Sequence, residues 1–159
     1  MKKLKINTMT RVLTLMAFFL FCTATSQAQE VEKYKEDKEQ IKNVIKYAYI
    51  EGIHNLGDIG DIQEGFHPGF ELLIKGQNEQ LVKFPIYSWI ERVESNKEKN
   101  PDGPDKETTV EFRQIDVTGD AAMAKIDLYK DGKKIFTDYL LLYKFFDDWR
   151  IVSKVYEAF

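Results

Sequence analysis

The hydrophobic positions change period along the chain. Between residues 31 and 55 the stretch "VEKYKEDKEQIKNVIKYAYIEGIHN" starts polar and becomes amphipathic. Ile41, Val44, Ile45, Ala48, Tyr49 and Gly52 recur at helical spacing and predict a helix with one buried face. "NLGD" (55–58) reads as a stop followed by an aspartate N-cap, with a short helix through Ile59, Ile62 and Phe66. Pro68 and Gly69 end it, and "FELLIK" (70–75) starts an extended segment. Pro85 is placed to open a further helix, "IYSWIERVESNK" (86–97), because proline fits just inside a helix start. "EKNPDGPDKE" (98–107) is a polar loop.

From residue 108 the period becomes two. "TTVEFRQIDV" turns through Gly119-Asp120 into "AAMAKIDLYK", and Asp131-Gly132 is a two-residue hairpin signal. "KKIFTDYLLLYKFF" then turns at Asp147-Asp148 into "WRIVSKVYEAF". Two-residue loops throughout set Ile115 opposite Ala124, Ala124 opposite Tyr139, and Tyr139 opposite Tyr156. They also pair Arg113 with Ile126, Ile126 with Thr137, and Leu141 with Lys154. One face then carries the odd positions of 111–117 and 135–145 and the even positions of 122–128 and 150–156, and it is mostly apolar. The opposite face gathers Leu140, Leu142, Trp149, Ile151 and Val155, too apolar for water, so a covering is expected there, most simply a second copy of the chain and otherwise the long first helix or a tail. Lys125 and Asp138 face each other there as an ordinary cross-strand ion pair.

The first 28 residues read as a secretory signal peptide: a basic start (Lys2, Lys3, Lys5, Arg11), an apolar core "VLTLMAFFLF" (12–21), and "SQA" before a cleavage point after Ala28. The expectation is an exported protein, periplasmic or secreted, with one domain over 29–159. Four of the 23 Lys+Arg and none of the 26 Asp+Glu lie in residues 1–28. The remainder carries 19 basic against 26 acidic side chains, a net charge of −7. That balance argues against nucleic acid as a partner. The lone cysteine, Cys22, falls in the leader, so disulfides, thiol catalysis and thiolate metal sites are not expected. No apolar stretch after the leader is long enough to cross a membrane.

Candidate chemistry is sparse. His54 and His67 do not have zinc spacing, and there is no calcium loop, nucleophile elbow or glycine-rich phosphate loop. No cofactor is expected. His54 sits near a helix end and complements its dipole. His67, between Phe66 and Pro68, reads either as a turn-ordering side chain or as a proton-transfer group. On the apolar sheet face, Arg113, Thr137, Tyr139, Lys154 and Tyr156 are polar. A buried charge must be paired or solvated, so either the long stems reach the rim or a cavity lies between sheet and helices.

The order of elements, with "YIEG" (49–52), "GD" (57–58), "FHP" (66–68), Pro85 with Trp89, "TDYLLL" (137–142) and "WRIVSK" (149–154), resembles the putative lumazine-binding family. That family lies within the nuclear transport factor two-like superfamily, and the resemblance runs from about residue 38 to the end. It implies an α+β fold: a cone-shaped, curved antiparallel sheet packed against N-terminal helices. It also implies a conical pocket, homodimers in many members, and a pterin-like ligand. By position, Tyr49, Phe66, His67, Trp89, Asp138 and Lys154 match the family's recurring residues. Three functions are expected from the residues and the resemblance together. The first is a binding protein for a small, partly aromatic molecule, with Tyr49, Trp89 and Tyr139 as walls and His67, Arg113 and Lys154 orienting polar groups. The second is an isomerase, dehydratase or cyclase with His67 as base and Tyr139 as donor. No residue clearly matches the isomerase acid/base set, Glu111 being the only carboxylate expected on the inner face. The third is a protein-interaction module whose pocket is a packed core.

Overall fold

The computed structural model describes residues 32–159. The signal segment read from the sequence therefore lies outside the described residues. Residues 32–37 are the described part of a first unit. They are helical, with Glu32 and Lys35 4.0 Å apart on an exposed surface. Residues 38–159 form the second unit, and all that follows concerns it.

Its first helix, α1 (38–54), is α-helical to residue 44 and π-helical over Ile45–His54. The predicted face is the buried one: Ile41, Ile45, Ala48 and Tyr49 are almost fully enclosed. The wider π turn buries Ile50 and Ile53 as well. Asp58 caps α2 (Ile59–Gly65), its Oδ1 accepting from the Gly60 N–H at 2.6 Å, a contact worth about 1 kcal/mol. The two helices touch closely through glycine. A Cβ on Gly52 would lie 2.5 Å from Ile62, and one on Gly65 2.3 Å from Ala48. Phe66, expected at the end of α2, is instead its C-cap and the first residue of β1 (Phe66–Lys75). β2 (Leu81–Pro85) runs back beside it, and Pro85 opens α3 (Ile86–Lys99) as expected.

Four long strands complete the fold: β3 (Thr108–Thr118), β4 (Ala121–Lys130), β5 (Lys133–Phe145) and β6 (Asp148–Ala158). With the first two they make one curved, unclosed six-stranded sheet in the order β2-β1-β6-β5-β4-β3. Every neighbouring pair is antiparallel except β1 with β6.

Three bulges and one shifted hairpin loop correct the expected register. Ile115 does pair with Ala124, but Phe112, not Arg113, pairs with Ile126. A bulge makes Arg113 the extra residue. In β5 a second bulge at Ile135 moves Leu128 from a position opposite Ile135 to one opposite Phe136, so every later residue of β5 changes face. Ala124 therefore meets Leu140, Lys125 meets Tyr139, and Ile126 meets Asp138. In the last hairpin Phe145 pairs with Asp148, so the loop is Phe146-Asp147 rather than Asp147-Asp148, and Phe146 takes a φ of +58°. A third bulge, at Val152, shifts β6 once more, so Leu140 rather than Leu141 pairs with Lys154. Leu140, Leu142, Trp149 and Ile151, expected outside, are thus the fully buried core of the inner face. Lys125 and Asp138 do not face each other.

Candidate functional site

The slip of β5 carries a carboxylate inward. Asp138 is completely buried, and Lys154, its neighbour on β6, is 4% exposed. The Lys154 ammonium lies 3.1 Å from Asp138 Oδ1. From the helical layer Tyr49 donates its hydroxyl to Asp138 Oδ2 at 2.6 Å, and Lys154 Nζ also donates to the same hydroxyl. The π turn of α1 turns Tyr49 toward the sheet. Its end is fixed by Asn55, whose amide oxygen accepts from the Thr108 N–H at 2.8 Å and whose amide nitrogen donates to the Thr108 carbonyl at 3.1 Å.

Aromatic rings surround this triad. Lys154 Nζ is 4.9 Å from the centroid of Tyr49, 5.6 Å from Trp89, 5.7 Å from Phe136 and 4.8 Å from Tyr156. Trp89, Phe136 and Tyr156 are each part-exposed. Behind them Phe66 and Phe70 meet edge to face at 4.9 Å, closing the inner end. His54 meets the Tyr49 ring edge-on at 4.8 Å, and its Nε2 is sealed from solvent without a hydrogen-bond partner.

Burial governs the electrostatics. It raises Asp138 above the ordinary aspartate range, against the pull of Lys154 and the Tyr49 hydroxyl, and it lowers Lys154 against the pull of Asp138. Tyr49 is pushed well up, by burial first and by the Asp138 charge second. Burial lowers His54 to about 3, helped by the positive charges of Lys154 and Lys130, so the ring is neutral at physiological pH.

Of the six residues singled out from the sequence, three meet here: Tyr49, Trp89 and Lys154. The other three do not. Arg113, displaced by its bulge, lies on the outer face, 2.5 Å from Asp127 Oδ2 and 2.8 Å from Glu111 Oε1. Glu111 is therefore also on the outer face. Asp127 further accepts from Thr137 at 2.6 Å and pairs with Lys134 at 2.9 Å. Burial alone would raise this carboxyl, but those hydrogen bonds from Thr137, Lys134 and Arg113 hold it well below the usual range. Tyr139, on the strand whose faces were exchanged, is 39% exposed beneath Lys125. His67 serves the turn: its Nδ1 accepts from the Gly69 N–H at 3.0 Å and its ring stacks on Phe145 at 4.6 Å. His67 and Tyr139 therefore do not form the acid/base pair expected of an enzyme. An open cleft of about 720 Å³ lies elsewhere, between α1, α2 and the β5–β6 turn. None of the triad lines it.

Asp138, His54, Phe136 and Tyr156 join the site beyond the six residues expected from the sequence. Resemblance pointed to Asp138 while hairpin counting sent it outward, and the bulge at Ile135 decides for the resemblance. Among the described residues, no group of His, Cys, Asp and Glu side chains could hold a metal ion.

Residues 36–157 match the family described as Putative lumazine-binding. The chain belongs to that family. Solved structures agree on the fold. An NTF2-like protein of unknown function from Shewanella baltica OS155 is 22% identical over 79% of this chain and 96% of its own, with a TM-score of 0.61. One from Silicibacter pomeroyi DSS-3 is 19% identical over 79% and 98%, with a TM-score of 0.63. Another, from Methylobacillus flagellatus KT, is 23% identical over 78% and 93%, with a TM-score of 0.58. No curated protein matches. The putative lumazine-binding family thus sits here on an NTF2-like fold, with its polar centre closed inside the sheet's concave side.

Proposed function

We propose that this member of the family is a binding protein for a small, flat, partly aromatic molecule of pterin-like type. The supporting observation is the buried Tyr49–Asp138–Lys154 triad, ringed by aromatic side chains that lead to solvent at Trp89, Phe136 and Tyr156. Flat rings stack well on such walls, and a few fixed polar groups orient them. The triad suits binding better than proton abstraction. Both Asp138 oxygens already face a donor or a cation, so the carboxylate is not a free base. The test is a fluorescence titration with lumazine, since Trp89 is part-exposed beside Lys154 and the other tryptophan, Trp149, is buried in the core. Saturable quenching that disappears in Trp89→Phe is the expected result. Unchanged emission up to millimolar lumazine, with no ligand retained in native mass spectrometry, rejects the reading.

The proposal includes export and a homodimer. The leader pattern of residues 1–28 supports export. A second copy is supported by the outer face, where Leu141, Tyr143 and Val155 are each about half exposed beside Tyr139. This replaces the core leucines and Trp149 as the reason to expect a partner. Light scattering is expected to give twice the chain mass, and Leu141→Glu to halve it by placing a charge in the patch. A wild-type protein already at the single-chain mass removes the dimer.

A further inference from the structure

Lys154 is the one buried lysine among the described residues. Its amine touches a carboxylate and a phenol and is otherwise enclosed by rings. We propose that Lys154 captures carbonyl-bearing aromatic ligands as a Schiff base, with Asp138 and Tyr49 handling the protons. This deepens, and rests on, the binding reading above by naming an aldehyde or ketone as the ligand's reactive group.

The chemistry follows from what surrounds the amine. A lysine attacks a carbonyl only as the free amine, and desolvation in an apolar site is the usual way to make that form available. Burial works in that direction at Lys154. Asp138, 3.1 Å away, accepts the ammonium proton. The amine nitrogen then bonds to the carbonyl carbon, the C=O π pair moves onto oxygen, and that oxygen takes a proton from the nitrogen to give the neutral carbinolamine with its hydroxyl. Tyr49, hydrogen-bonded to both partners, relays the proton from Asp138 to that hydroxyl. The hydroxyl leaves as water while the nitrogen lone pair forms the C=N bond. Overall, ammonium plus carbonyl gives iminium plus water, with no oxidant or reductant. The product keeps one positive charge on nitrogen, so the pair with Asp138 survives the reaction. A neutral product would strand that carboxylate in an apolar site. An aromatic carbonyl suits the site because the part-exposed rings of Trp89, Phe136 and Tyr156 lie 5.6, 5.7 and 4.8 Å from the amine.

The experiment uses the protein purified as its cell processes it. 2-Naphthaldehyde is added at pH 7 with sodium cyanoborohydride, whose hydride reduces the iminium to a stable secondary amine, and the modified lysines are mapped by peptide mass spectrometry. Exposure predicts the opposite outcome from the proposal: Lys75 and Lys83 have side chains 78% and 60% exposed, Lys154 only 5%. The expected result is labelling of Lys154 at least about tenfold faster than any surface lysine. Tyr49→Phe, which keeps the ring, should slow it without loss of fold. Labelling that follows exposure and spares Lys154 overturns the proposal. If the aldehyde quenches Trp89 yet leaves Lys154 unmodified, the covalent step fails and the binding reading stands. If it neither quenches nor labels, the carbonyl proposal is overturned, and the lumazine titration alone decides the binding reading. Because wild-type protein decides the matter, a poorly folding Lys154 variant does not weaken the test.

Discussion

Asp138→Ala is expected to cost about 3–5 kcal/mol of folding stability, because it leaves a buried ammonium without its counter-charge. Lys154 is 4% exposed and has no route to water except past the rings that enclose it. The Tyr49 hydroxyl loses its acceptor in the same step. A loss of that size is a large share of a small domain's total stability. The companion variant is Asp138→Leu with Lys154→Met. It removes both charges and keeps apolar volume, so no charge is left buried alone, while the Tyr49 hydroxyl loses its Asp138 acceptor in the single and the double variant alike. Replacing a whole buried pair in this way is often neutral or stabilising. Urea denaturation should therefore show the single substitution well below wild type and the double one recovering most of that loss, short of the cost of the stranded Tyr49 hydroxyl. Equal losses in both would mean that packing, not charge, holds Asp138 in place. The same comparison separates stability from function: the double variant should fold, and it should fail to form the aldehyde adduct because its amine is gone.

Much of the helical layer was legible because one buried face repeats at one period. Ile41, Ile45, Ala48 and Tyr49 mark the α1 face, and Pro85 marks the start of α3. The sheet was legible as a meander, yet the faces of β5 were not. Alternation reports only parity, and each bulge changes parity without a marked signature in the sequence. Ile135 looks like any apolar strand residue, but as the extra residue it sends Asp138 in and Tyr139 out. The lysine shows how errors can cancel. The bulges at Ile135 and Val152 each flip the face, so Lys154, which lies beyond both, ends on the side expected for it. Trp149 and Ile151 precede Val152 and feel only the first flip, so they land in the core instead. His54 was read only as a partner of the helix dipole, for a different reason. A helix of ordinary pitch would leave it at a terminus facing the dipole, whereas the π turn brings its ring against Tyr49.

That placement makes His54 a source of acid sensitivity. Its pKa is lowered from 6.5 to about 3 in the folded chain. Above 6.5 the ring is neutral in both folded and unfolded chains and contributes no slope. Between 6.5 and about 3 the unfolded chain takes up a proton that the folded chain refuses, so stability falls as the pH falls, and below that window the slope vanishes. The full shift would correspond to about 4–5 kcal/mol. His54 as a residue is part-exposed, and solvent softens the penalty, so a loss of about 2 kcal/mol by pH 4.5 is expected. The other perturbed carboxylates are separable. Asp127, held low, withdraws its stabilisation only as the pH falls through and below the ordinary carboxylate range, and Asp138, raised by burial, acts in the opposite sense. Urea midpoints at pH 7 and 4.5 for wild type and His54→Phe isolate the term, since phenylalanine keeps the contacts with Tyr49 and Phe136 and cannot titrate. The variant should lose clearly less stability than wild type over this interval. If the two proteins lose the same amount, the imidazole is not shielded, and the end of α1 must open to water far more readily than the Asn55–Thr108 clamp implies.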